Sequence, residues 1–478
     1  MTAQVVWRFP PSNENELKRL TMEFIRSILR INHVLFGVGM FENVIIDQNP
    51  HWDGTLYREG VTREVLGKIQ SGLALPHIIS IVGVRRCGKS TLIRQMINHL
   101  MKDKGVKPRN ILFLNLEHPG FSRYKNDVNY LERVYEDYLK LTSPREMIYC
   151  FLDEVQFFKE WQVFVKSHYE RKKVKFIVTG SNSRLLSSEF ITLLSGRTIP
   201  VEVYPFSFSE FIRAKGGQYS DRVSFLKNRH TIRGFLDDFL RDGGFPEIAF
   251  IDEKETKKDI LAMYARNILY QDIAARFGVK KAVDLENLFF YLASNISSLY
   301  SYNSLSKLMG LTDKTIKEYL SYFADAYLLF TVNAFSFSVK QQLKSSKKVY
   351  TVDVGLADAV SFRFSDDRGK FLENMIYLEL KRRGKELFYY KTANGLEVDF
   401  IGKTGLAITD LIQVSRDLRD EKTKNREVRA LIKAMDETGV ENGLIVTQEE
   451  EGEIKKGGKT VTILPAYKFL LNVNGERE

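Results

Sequence analysis

Short apolar runs alternate with amphipathic helical segments from His77 to about residue 204. The runs read HIISIVGV, ILFLNLE, MIYCFLDEV and VKFIVTG. Strands that are apolar at every position are buried on both faces, as happens when helices cover both sides of a parallel sheet. The pattern therefore predicts an α/β fold with a parallel sheet for residues 51–204.

Helical periodicity replaces the strand pattern over residues 205–282, where Gly243 and Pro246 interrupt it. We expect a helical lid or linker there. Residues 283–367 contain SYNSLSKLMGLTDKTIKEYLSYF, in which two helical patterns flank a turn at Gly310, and two extended stretches follow. This order is typical of a winged helix-turn-helix domain.

The two ends of the chain complete the predicted organisation. Residues 1–50 are expected to form a helical extension, with a helix at about 13–36, and a second helix is expected at about 52–72. Residues 368–478 alternate helical and extended patterns, which predicts a further domain. A chain of 478 residues with 44% hydrophobic composition is too long for one hydrophobic core, so several domains are expected.

Charge and cysteine content narrow the class of protein. The 71 Lys and Arg residues exceed the 60 Asp and Glu residues, which gives a net charge of +11. This surplus favours a polyanionic partner, although a solvated basic surface explains it equally well. The two cysteines, Cys87 and Cys150, have no second Cys or His at ligand spacing, so neither a disulfide framework nor a zinc site is predicted. The N-terminus lacks a secretory pattern and no apolar run approaches 18 residues, so we expect a cytoplasmic protein without a membrane partner.

One segment matches the phosphate-binding pattern G-x-x-x-x-G-K-[ST], directly after the first predicted strand and before a predicted helix. In such a loop, backbone N–H groups and the helix N-terminus surround the phosphates. Lys89 is expected to contact the β and γ oxygens, and the Ser90 hydroxyl to bind Mg²⁺. The predicted site for ATP consists of nine residues: Gly83, Val84, Arg85, Arg86, Cys87, Gly88, Lys89, Ser90 and Thr91.

The strand MIYCFLDEV ends in two carboxylates, Asp153 and Glu154. In isolation, such a pair could belong to an ordinary turn. After a phosphate-binding loop it has the Walker B arrangement, in which Asp153 holds the Mg²⁺ shell and Glu154 orients and deprotonates the attacking water. Lys89 and Glu154 are therefore predicted to be catalytic.

Two further residues are candidates for catalysis. Asn182 follows VKFIVTG and would emerge beside the γ-phosphate if that strand lies between the other two, although this segment would equally suit a helix N-cap. Arg197 follows LSG and is predicted to be an arginine finger, acting within its own subunit or from a neighbouring one. A surface arginine without a catalytic role is the alternative.

The motifs GVRRCGKST, FLDEVQ, VTGSNS, LSGR and YPFSFSEF together resemble a family of archaeal and bacterial AAA-type ATPases whose C-terminal part is the domain of unknown function DUF4143. FLEN, KVYTVDVGL and GLEVDF resemble the C-terminal half of the same family. The resemblance spans about residues 55–470. It implies a RecA-like P-loop AAA ATPase core, a winged-helix domain, a restriction-endonuclease-like C-terminal domain and assembly into a homo-oligomer.

An active domain of the restriction-endonuclease type holds metal with a helix Glu, a strand Asp and an [ED]-x-K element. By this resemblance, Glu373 and Asp399 match the first two acids, but Gln413 and Ser415 stand where the third acid and the lysine belong. A neutral Gln is a poor ligand for Mg²⁺, and the lysine that would activate water is missing, so nuclease activity is not expected. Two lysines elsewhere could substitute for the missing one: Lys391 and Lys422.

Lysines of the predicted winged helix are candidate contacts for double-stranded or branched DNA. The set comprises Lys307, Lys314 and Lys317 on the helices, and Lys340, Lys344, Lys347 and Lys348 on the wing. The favoured function is a Mg²⁺-dependent AAA-type ATPase that couples ATP binding and hydrolysis to DNA binding or remodelling. The alternative is a nucleotide-dependent switch or scaffold that acts on protein partners without nucleic acid.

Overall fold

The computed structural model of the chain describes residues 41–127, 129–183, 194, 196–219, 222–361, 368–405 and 407–473. The helix expected at about 13–36 and most of the expected N-terminal extension lie outside the described residues. Within the described parts, no helix combines the length and the apolar character needed to cross a membrane.

The first sheet along the chain is parallel and has five strands in the order β2–β3–β4–β1–β5. Every residue of β1 and β4 is buried, because helices cover both faces of the sheet. The prediction of an α/β fold with a parallel sheet is confirmed. The strands are β1 (Ile78–Val82), β2 (Ile111–Asn115), β3 (Ile148–Asp153), β4 (Val174–Gly180) and β5 (Thr198–Glu202). The helices are α1 (Glu42–Gln48), α2 (Leu66–Leu73), α3 (Lys89–Lys102), α4 (Tyr130–Thr142) and α5 (Trp161–Glu170).

The segment before β1 is fastened to the edge strand β2. The Asn49 side chain accepts a hydrogen bond from the Phe113 N–H at 2.7 Å and donates one to the Phe113 carbonyl at 2.9 Å, which satisfies the outward backbone groups of this edge. The prediction of a single helix at 52–72 is wrong. Gly54 and Gly60 adopt positive φ angles of 81° and 64°, which interrupt a helix, and only α2 forms within this range.

Helices dominate the middle of the chain, in agreement with the periodicity of its sequence. They are α6 (Phe208–Ala214), α7 (Arg222–Asp242) and α8 (Lys254–Asn267), and α8 continues through a π-helical segment, Ile268–Ala274, into a last turn, Ala275–Phe277. Asp353, buried farther along the chain, accepts hydrogen bonds from the backbone N–H groups of Gly244 at 2.6 Å and Leu356 at 2.9 Å. Asp353 thereby attaches the glycine-rich turn after α7 to the segment that contains Leu356.

A small antiparallel sheet with strand order β6–β8–β7 accompanies the next helices. Two helices flank the turn at Gly310: Gly310 ends the first with a φ of 66°, and the Thr312 side chain caps the second. The helices are α9 (Ala282–Ser294), α10 (Tyr302–Met309), α11 (Asp313–Asp325), α12 (Val339–Lys344) and α13 (Val354–Val360). The strands are β6 (Leu299–Tyr300), β7 (Leu329–Asn333) and β8 (Lys347–Thr351).

The C-terminal part contains a mixed six-stranded sheet with strand order β13–β14–β12–β11–β10–β9. Side chains alternate between its faces, so that Phe400 packs into the core on one face and Ile401 into the core on the other. The strands are β9 (Glu386–Lys391), β10 (Glu397–Thr404), β11 (Ala407–Val414), β12 (Asn442–Thr447), β13 (Gly452–Lys456) and β14 (Lys459–Pro465). The helices are α14 (Arg368–Arg382), α15 (Glu421–Thr438) and α16 (Ala466–Leu471).

Candidate functional site

The loop between β1 and α3 depends on two glycines. Gly83 lies so close to the chain after β5 that a Cβ there would stand 2.0 Å from the Val203 carbonyl oxygen. Gly88 has a φ of 101°, a conformation that residues with a side chain rarely adopt, and α3 begins at the next residue. The loop therefore turns tightly and leads directly into the N-terminus of a helix, where N–H groups and the helix dipole favour an anion.

The Lys89 ammonium group lies inside this loop. Its Nζ donates hydrogen bonds to the carbonyls of Gly83 at 3.1 Å and Val84 at 3.2 Å, and the residue is only 4% exposed. Burial would lower the pKa of Lys89, but the neighbouring carboxylates, with Glu154 first among them, outweigh burial and raise it. Lys89 is therefore held in its charged form, with the nearest Glu154 oxygen 3.6 Å away.

Both predicted carboxylates lie at the carboxyl end of β3. Asp153 is 1% exposed and forms hydrogen bonds with the Thr179 and Ser90 side chains. Glu154 adopts a left-handed conformation with φ of 57°, and its N–H donates to Thr179 Oγ1 at 3.1 Å. Thr179 thus contacts both acidic residues, and burial, together with the charge of Glu154, raises the pKa of Asp153. The Gln156 side chain donates a hydrogen bond to the Glu154 carboxylate.

Asn182 lies just after β4, and β4 lies between β3 and β1. This is the strand arrangement on which the prediction for Asn182 depended. Asn182 is buried and has partners of its own. The carboxyl ends of parallel strands meet at one edge, so Asn182 shares that edge with the phosphate-binding loop and Glu154.

A cavity of about 790 Å³ opens at this edge of the sheet. This volume lies within the range of ordinary ligand pockets. Its wall includes the polar and charged residues Gly88, Lys89, Ser90, Thr91, Asp153 and Glu154, and several arginines, among them Arg58, Arg63, Arg85, Arg86 and Arg94. The wall also includes the apolar side chains Val61, Phe206, Pro246 and Phe250. This mixed lining suits a polyphosphate with an attached flat apolar ring, and a hydroxyl beside a buried carboxylate, Ser90 with Asp153, provides the hard oxygen donors that suit Mg²⁺.

Sequence reasoning missed two residues near the cavity, Arg63 and Asp272, and it did not foresee the contacts of the predicted loop residue Arg85. Arg85 extends from the loop to Glu117 at 2.6 Å and to Asp272 in the π-helical segment at 3.4 Å, so it joins the loop to the helical lid. Arg63 is buried and donates to the Cys87 carbonyl of the loop at 2.8 Å. Arg63 and Asp272 belong to no local motif, and only the π-helical break marks Asp272 as unusual.

Arg197 lies at the opposite edge of the sheet from this cavity. Its carbonyl accepts a hydrogen bond from the N–H of Ile78, the first residue of β1, at 2.8 Å, whereas the phosphate-binding loop follows the last residue of β1. Five residues of strand separate the two ends by about 16 Å. Arg197 pairs with Glu170 at 3.2 Å and has a 38% exposed side chain. The prediction that it serves the site of its own subunit is therefore wrong, while the prediction of an arginine from a neighbouring subunit stays open.

The structure places five of the seven predicted DNA-binding lysines at the surface, namely Lys307, Lys314, Lys317, Lys340 and Lys344. The other two need correction, because both are buried. Lys347 donates to the Asn333 side chain at 2.5 Å, and burial lowers its pKa. Lys348, 2% exposed, points into the C-terminal domain instead of toward solvent.

Lys348 fills the cluster of acids that the C-terminal motifs predicted. Its Nζ lies 3.0 Å from Glu373, 2.8 Å from Asp399 and 2.8 Å from Glu397. The Tyr350 hydroxyl donates to the same Glu373 oxygen at 2.7 Å. Burial and the nearby Asp399 raise the pKa of Glu373 to about 7, whereas the surrounding carboxylates outweigh burial and raise the pKa of Lys348 well above its usual value.

The residues that replace the third catalytic element are also engaged within the protein. Gln413 accepts a hydrogen bond from the Asp399 N–H at 3.2 Å and donates one to Glu427 at 2.6 Å. Ser415 donates to the Asp417 carbonyl at 2.9 Å. Among the residues that the structure describes, no group of three or more His, Cys, Asp or Glu side chains is arranged to hold a metal ion. Neither Lys391 nor Lys422 stands beside Glu373 and Asp399; the lysine there is Lys348.

Thr179→Val tests the contact between β4 and the two acidic residues. Removal of the hydroxyl leaves the buried Asp153 carboxylate and the Glu154 N–H without this partner, so both carboxylates lose their orientation. We expect ATP affinity close to that of the parent and a turnover of about one tenth of the parental value or below, measured by equilibrium binding and steady-state hydrolysis. Thr142→Val is the control, because the Thr142 hydroxyl bonds Tyr138 within α4 and neither acidic residue. Equal turnover in the two variants would contradict a role for Thr179.

Lys348→Met tests the buried ammonium group. Loss of the cation leaves buried carboxylates without their partner, and we expect the free energy of unfolding to fall by about 3–5 kcal/mol, measured by urea denaturation. In the parent, burial and Asp399 raise the pKa of Glu373 to about 7 although Lys348 lowers it, so without Lys348 the folded state takes up this proton at a higher pH. The deficit should therefore shrink as the pH is lowered from alkaline values toward about 7, where the parent itself begins to take up the proton. Lys347→Met, which leaves every carboxylate with its partner, should cost less and show no such pH dependence. A pH-independent deficit for Lys348→Met would contradict this account.

Three family models match successive parts of the chain. An AAA domain matches residues 76–212, a domain of unknown function (DUF8612) matches residues 234–367, and a domain of unknown function (DUF4143) matches residues 368–469. The AAA match covers β1 to β5 and, of the cavity wall, Gly88, Lys89, Ser90, Thr91, Asp153 and Glu154. It supports an AAA-type core for this part of the chain.

Two solved structures that are similar to the chain have low TM-scores. The Orc1 protein of Aeropyrum pernix in complex with DNA is 13% identical, covers 63% of this chain and 92% of its own, and has a TM-score of 0.30. The AMPPCP-bound DnaA of Aquifex aeolicus is 16% identical, with coverage of 58% and 92% and a TM-score of 0.25. Neither TM-score is high enough to support an argument about function.

Two relatives share most of the length of the chain. An uncharacterized protein of Haemophilus influenzae is 32% identical over 328 residues, which are 68% of this chain and 78% of that protein. The uncharacterized protein MJ1544 of Methanocaldococcus jannaschii is 31% identical over 462 residues, which are 93% of this chain and 98% of that protein. With its AAA and DUF4143 domains, the chain belongs to the same archaeal and bacterial family of AAA-domain proteins as these two relatives.

Proposed function

We propose that this protein is a Mg²⁺-dependent ATPase. The observation that supports this function best is the common position of Lys89, Ser90, Asp153 and Glu154 on the wall of a single cavity of about 790 Å³. A buried cation, a hydroxyl and two carboxylates are the groups that binding and hydrolysis of a nucleoside triphosphate require. The apolar side chains of the wall provide a place for the base.

The residues of the chain divide the work of hydrolysis. The N–H groups of the loop and the Lys89 ammonium bind the phosphates and offset the negative charge that spreads during phosphoryl transfer. Glu154 orients the attacking water and accepts its proton. Thr179 and Gln156 hold the acidic residues in position, and Asn182 is suited to contact the γ-phosphate or the water.

Ser90 and Asp153 would hold the Mg²⁺ ion, because they already meet as a hydroxyl and a buried carboxylate beside the loop. When bound, Mg²⁺ supplies positive charge to the β and γ oxygens of the nucleotide. The hydrogen bond from Thr179 keeps Asp153 turned toward Ser90. Arg197 would act on the site of an adjacent subunit, which requires a homo-oligomer.

The proposed target of the ATPase is double-stranded or branched DNA. The order α9, β6, α10, α11, β7, α12 and β8 supports a winged helix with an extra helix between its last two strands, and Lys307, Lys314 and Lys317 are exposed on its helices. Lys340 and Lys344 are exposed on α12. For the C-terminal domain we infer a restriction-endonuclease-like fold without nuclease activity, because Lys348 and Gln413 engage its acids.

Glu154→Gln tests the proposed hydrolysis. The amide keeps the size of the side chain but accepts no proton, so ATP binding should persist while turnover falls by about 10²–10⁴-fold. Lys89→Ala should lose ATP binding, because the loop loses its cation. Affinity is measured by calorimetry and turnover by phosphate release, with Lys102→Ala at the exposed end of α3 as control. Turnover of Glu154→Gln at the parental rate would show that Glu154 is not the base.

Stimulation of ATP hydrolysis by double-stranded, branched or single-stranded DNA tests the proposed target. A variant that combines Lys307→Ala, Lys314→Ala and Lys317→Ala should lose stimulation, and its DNA affinity should depend less steeply on salt, by about 0.9 in log–log slope for each phosphate that the variant no longer neutralises. The control is a variant that combines Lys104→Ala, Lys140→Ala and Lys173→Ala, which removes the same charge from the ATPase core. If all DNA forms leave the rate unchanged, the alternative of a switch or scaffold for protein partners is favoured.

A mixing experiment tests whether Arg197 acts between subunits. Arg197→Ala retains Glu154, and Glu154→Gln retains Arg197, so each variant can complete the other in a mixed assembly. We expect the equimolar mixture to hydrolyse ATP faster than the average of the separate variants. Arg145→Ala, an exposed arginine just before β3 at the same edge of the sheet as Arg197, should keep the parental rate alone. Activity of the mixture equal to the average would contradict a finger in trans.

A further inference from the structure

The chain that leaves β5 forms one wall of the nucleotide cavity. We define the β5 exit segment as residues 202–207. The Val203 N–H donates to the carbonyl of Val82, the last residue of β1, at 2.7 Å, and the Val203 carbonyl occupies the space beside Gly83. Phe206, three residues later, lines the cavity. The exit segment therefore contacts the phosphate-binding loop and forms part of the cavity wall.

Arg63 connects this segment to the phosphate-binding loop. One guanidinium nitrogen donates to the Cys87 carbonyl at 2.8 Å, and the other donates to the Tyr204 carbonyl at 2.7 Å. A salt bridge of 3.0 Å to Glu210, itself buried, holds the guanidinium in place. Because all these groups are buried, a displacement of the Tyr204 carbonyl would leave donors of Arg63 without partners, which is unfavourable.

Arg382, the last residue of α14, holds the same segment from the C-terminal domain. Its Nη2 donates to the carbonyls of Pro205 at 3.1 Å and Phe206 at 3.2 Å. Its guanidinium also lies over the Tyr204 ring, 5.8 Å from the ring centroid. One side chain of the C-terminal domain thus contacts three consecutive residues of the exit segment, Tyr204, Pro205 and Phe206.

The remaining neighbours restrict the segment further. Tyr327 comes shortly after α11, and its hydroxyl donates a hydrogen bond to Glu202 at 3.0 Å. The Phe206 N–H donates to the Gly244 carbonyl at 2.7 Å. A Cβ at Gly244 would stand 2.5 Å from the Phe206 carbonyl oxygen, so the backbones are in close contact. The exit segment is consequently held at Phe206 by the helical lid and the C-terminal domain, and at Glu202 by the middle domain.

We propose that Arg382 is a positioning residue for nucleotide binding, through which the C-terminal domain controls the affinity of the ATP cavity. It acts through the carbonyls of Pro205 and Phe206, and so through the wall that Phe206 forms and the loop that Arg63 supports. This proposal rests on the proposed ATPase function. Since coupling between sites is reciprocal, ATP binding should in turn stabilise the contact between α14 and the exit segment.

The adjacent residue Arg383 provides a matched control. It donates to the Phe469 carbonyl at 2.6 Å and pairs with Glu379 at 2.9 Å, both within the C-terminal domain. Replacement of either arginine removes one cation from the end of α14, but only Arg382 touches the exit segment. A general loss of helix stability would affect both variants, whereas loss of positioning would affect one.

The experiment compares Arg382→Ala, Arg382→Lys and Arg383→Ala in the full chain. We expect Arg382→Ala to raise the Kd and KM for ATP at least about fivefold with little change in kcat, because the groups around Glu154 do not contact Arg382. Arg382→Lys should recover part of the affinity, since an ammonium group can donate to one of the two carbonyls. Arg383→Ala should keep the parental Kd.

Amide hydrogen exchange at Val203, Tyr204, Phe206 and Ser207 provides a second readout that needs no nucleotide. Exchange should be faster in Arg382→Ala than in the parent and in Arg383→Ala. A parental Kd in Arg382→Ala, equal weakening of ATP binding in the two alanine variants, or unchanged exchange would overturn the proposal. Failure of the parent itself to bind ATP would instead overturn the proposed function, and the exchange result would still decide whether Arg382 holds the segment.

Discussion

The close approach of Gly83 to the Val203 carbonyl is the constraint on which the nucleotide site depends. It lets the chain after β5 pass directly across the start of the phosphate-binding loop, and any side chain at residue 83 would separate the two. The parallel sheet makes this approach possible, because β1 and β5 are neighbours that end at the same edge. Asp153 and Thr179 arrive at that edge on β3 and β4 for the same reason.

Buried cations recur as organising groups in this protein. Lys89 is surrounded by loop carbonyls and Glu154, and Lys348 by Glu373, Glu397 and Asp399. Lys175 donates to three carbonyls at the end of α2, and burial lowers its pKa to about 8. The first of these sites leaves a cavity beside the cation, whereas the second closes completely around it. This difference separates a site suited to ligands from one that serves the fold.

Lys89, Ser90, Asp153 and Glu154, which line one cavity, could be picked out from the sequence because their signals are local. A glycine pattern between a strand and a helix, and acids at a strand end, depend on neighbours along the chain, and the parallel sheet follows from uniformly apolar strands. Contacts between distant segments left no such signal. Arg63 and Asp272 reach the site from outside any motif. The prediction that Arg197 acts within its own subunit failed because Arg197 precedes β5, and the start of a parallel strand lies at the edge of the sheet opposite to the phosphate-binding loop.

Lys348 shows the same limit in the C-terminal half and carries a consequence for how the protein can be divided. The boundary between the second and third family models falls at 367/368, yet the cation that neutralises Glu373 and Asp399 lies on β8, before that boundary. A fragment cut there would retain the acids without their counter-charge. A fragment that begins at residue 368 should therefore be less stable than one that also contains β8.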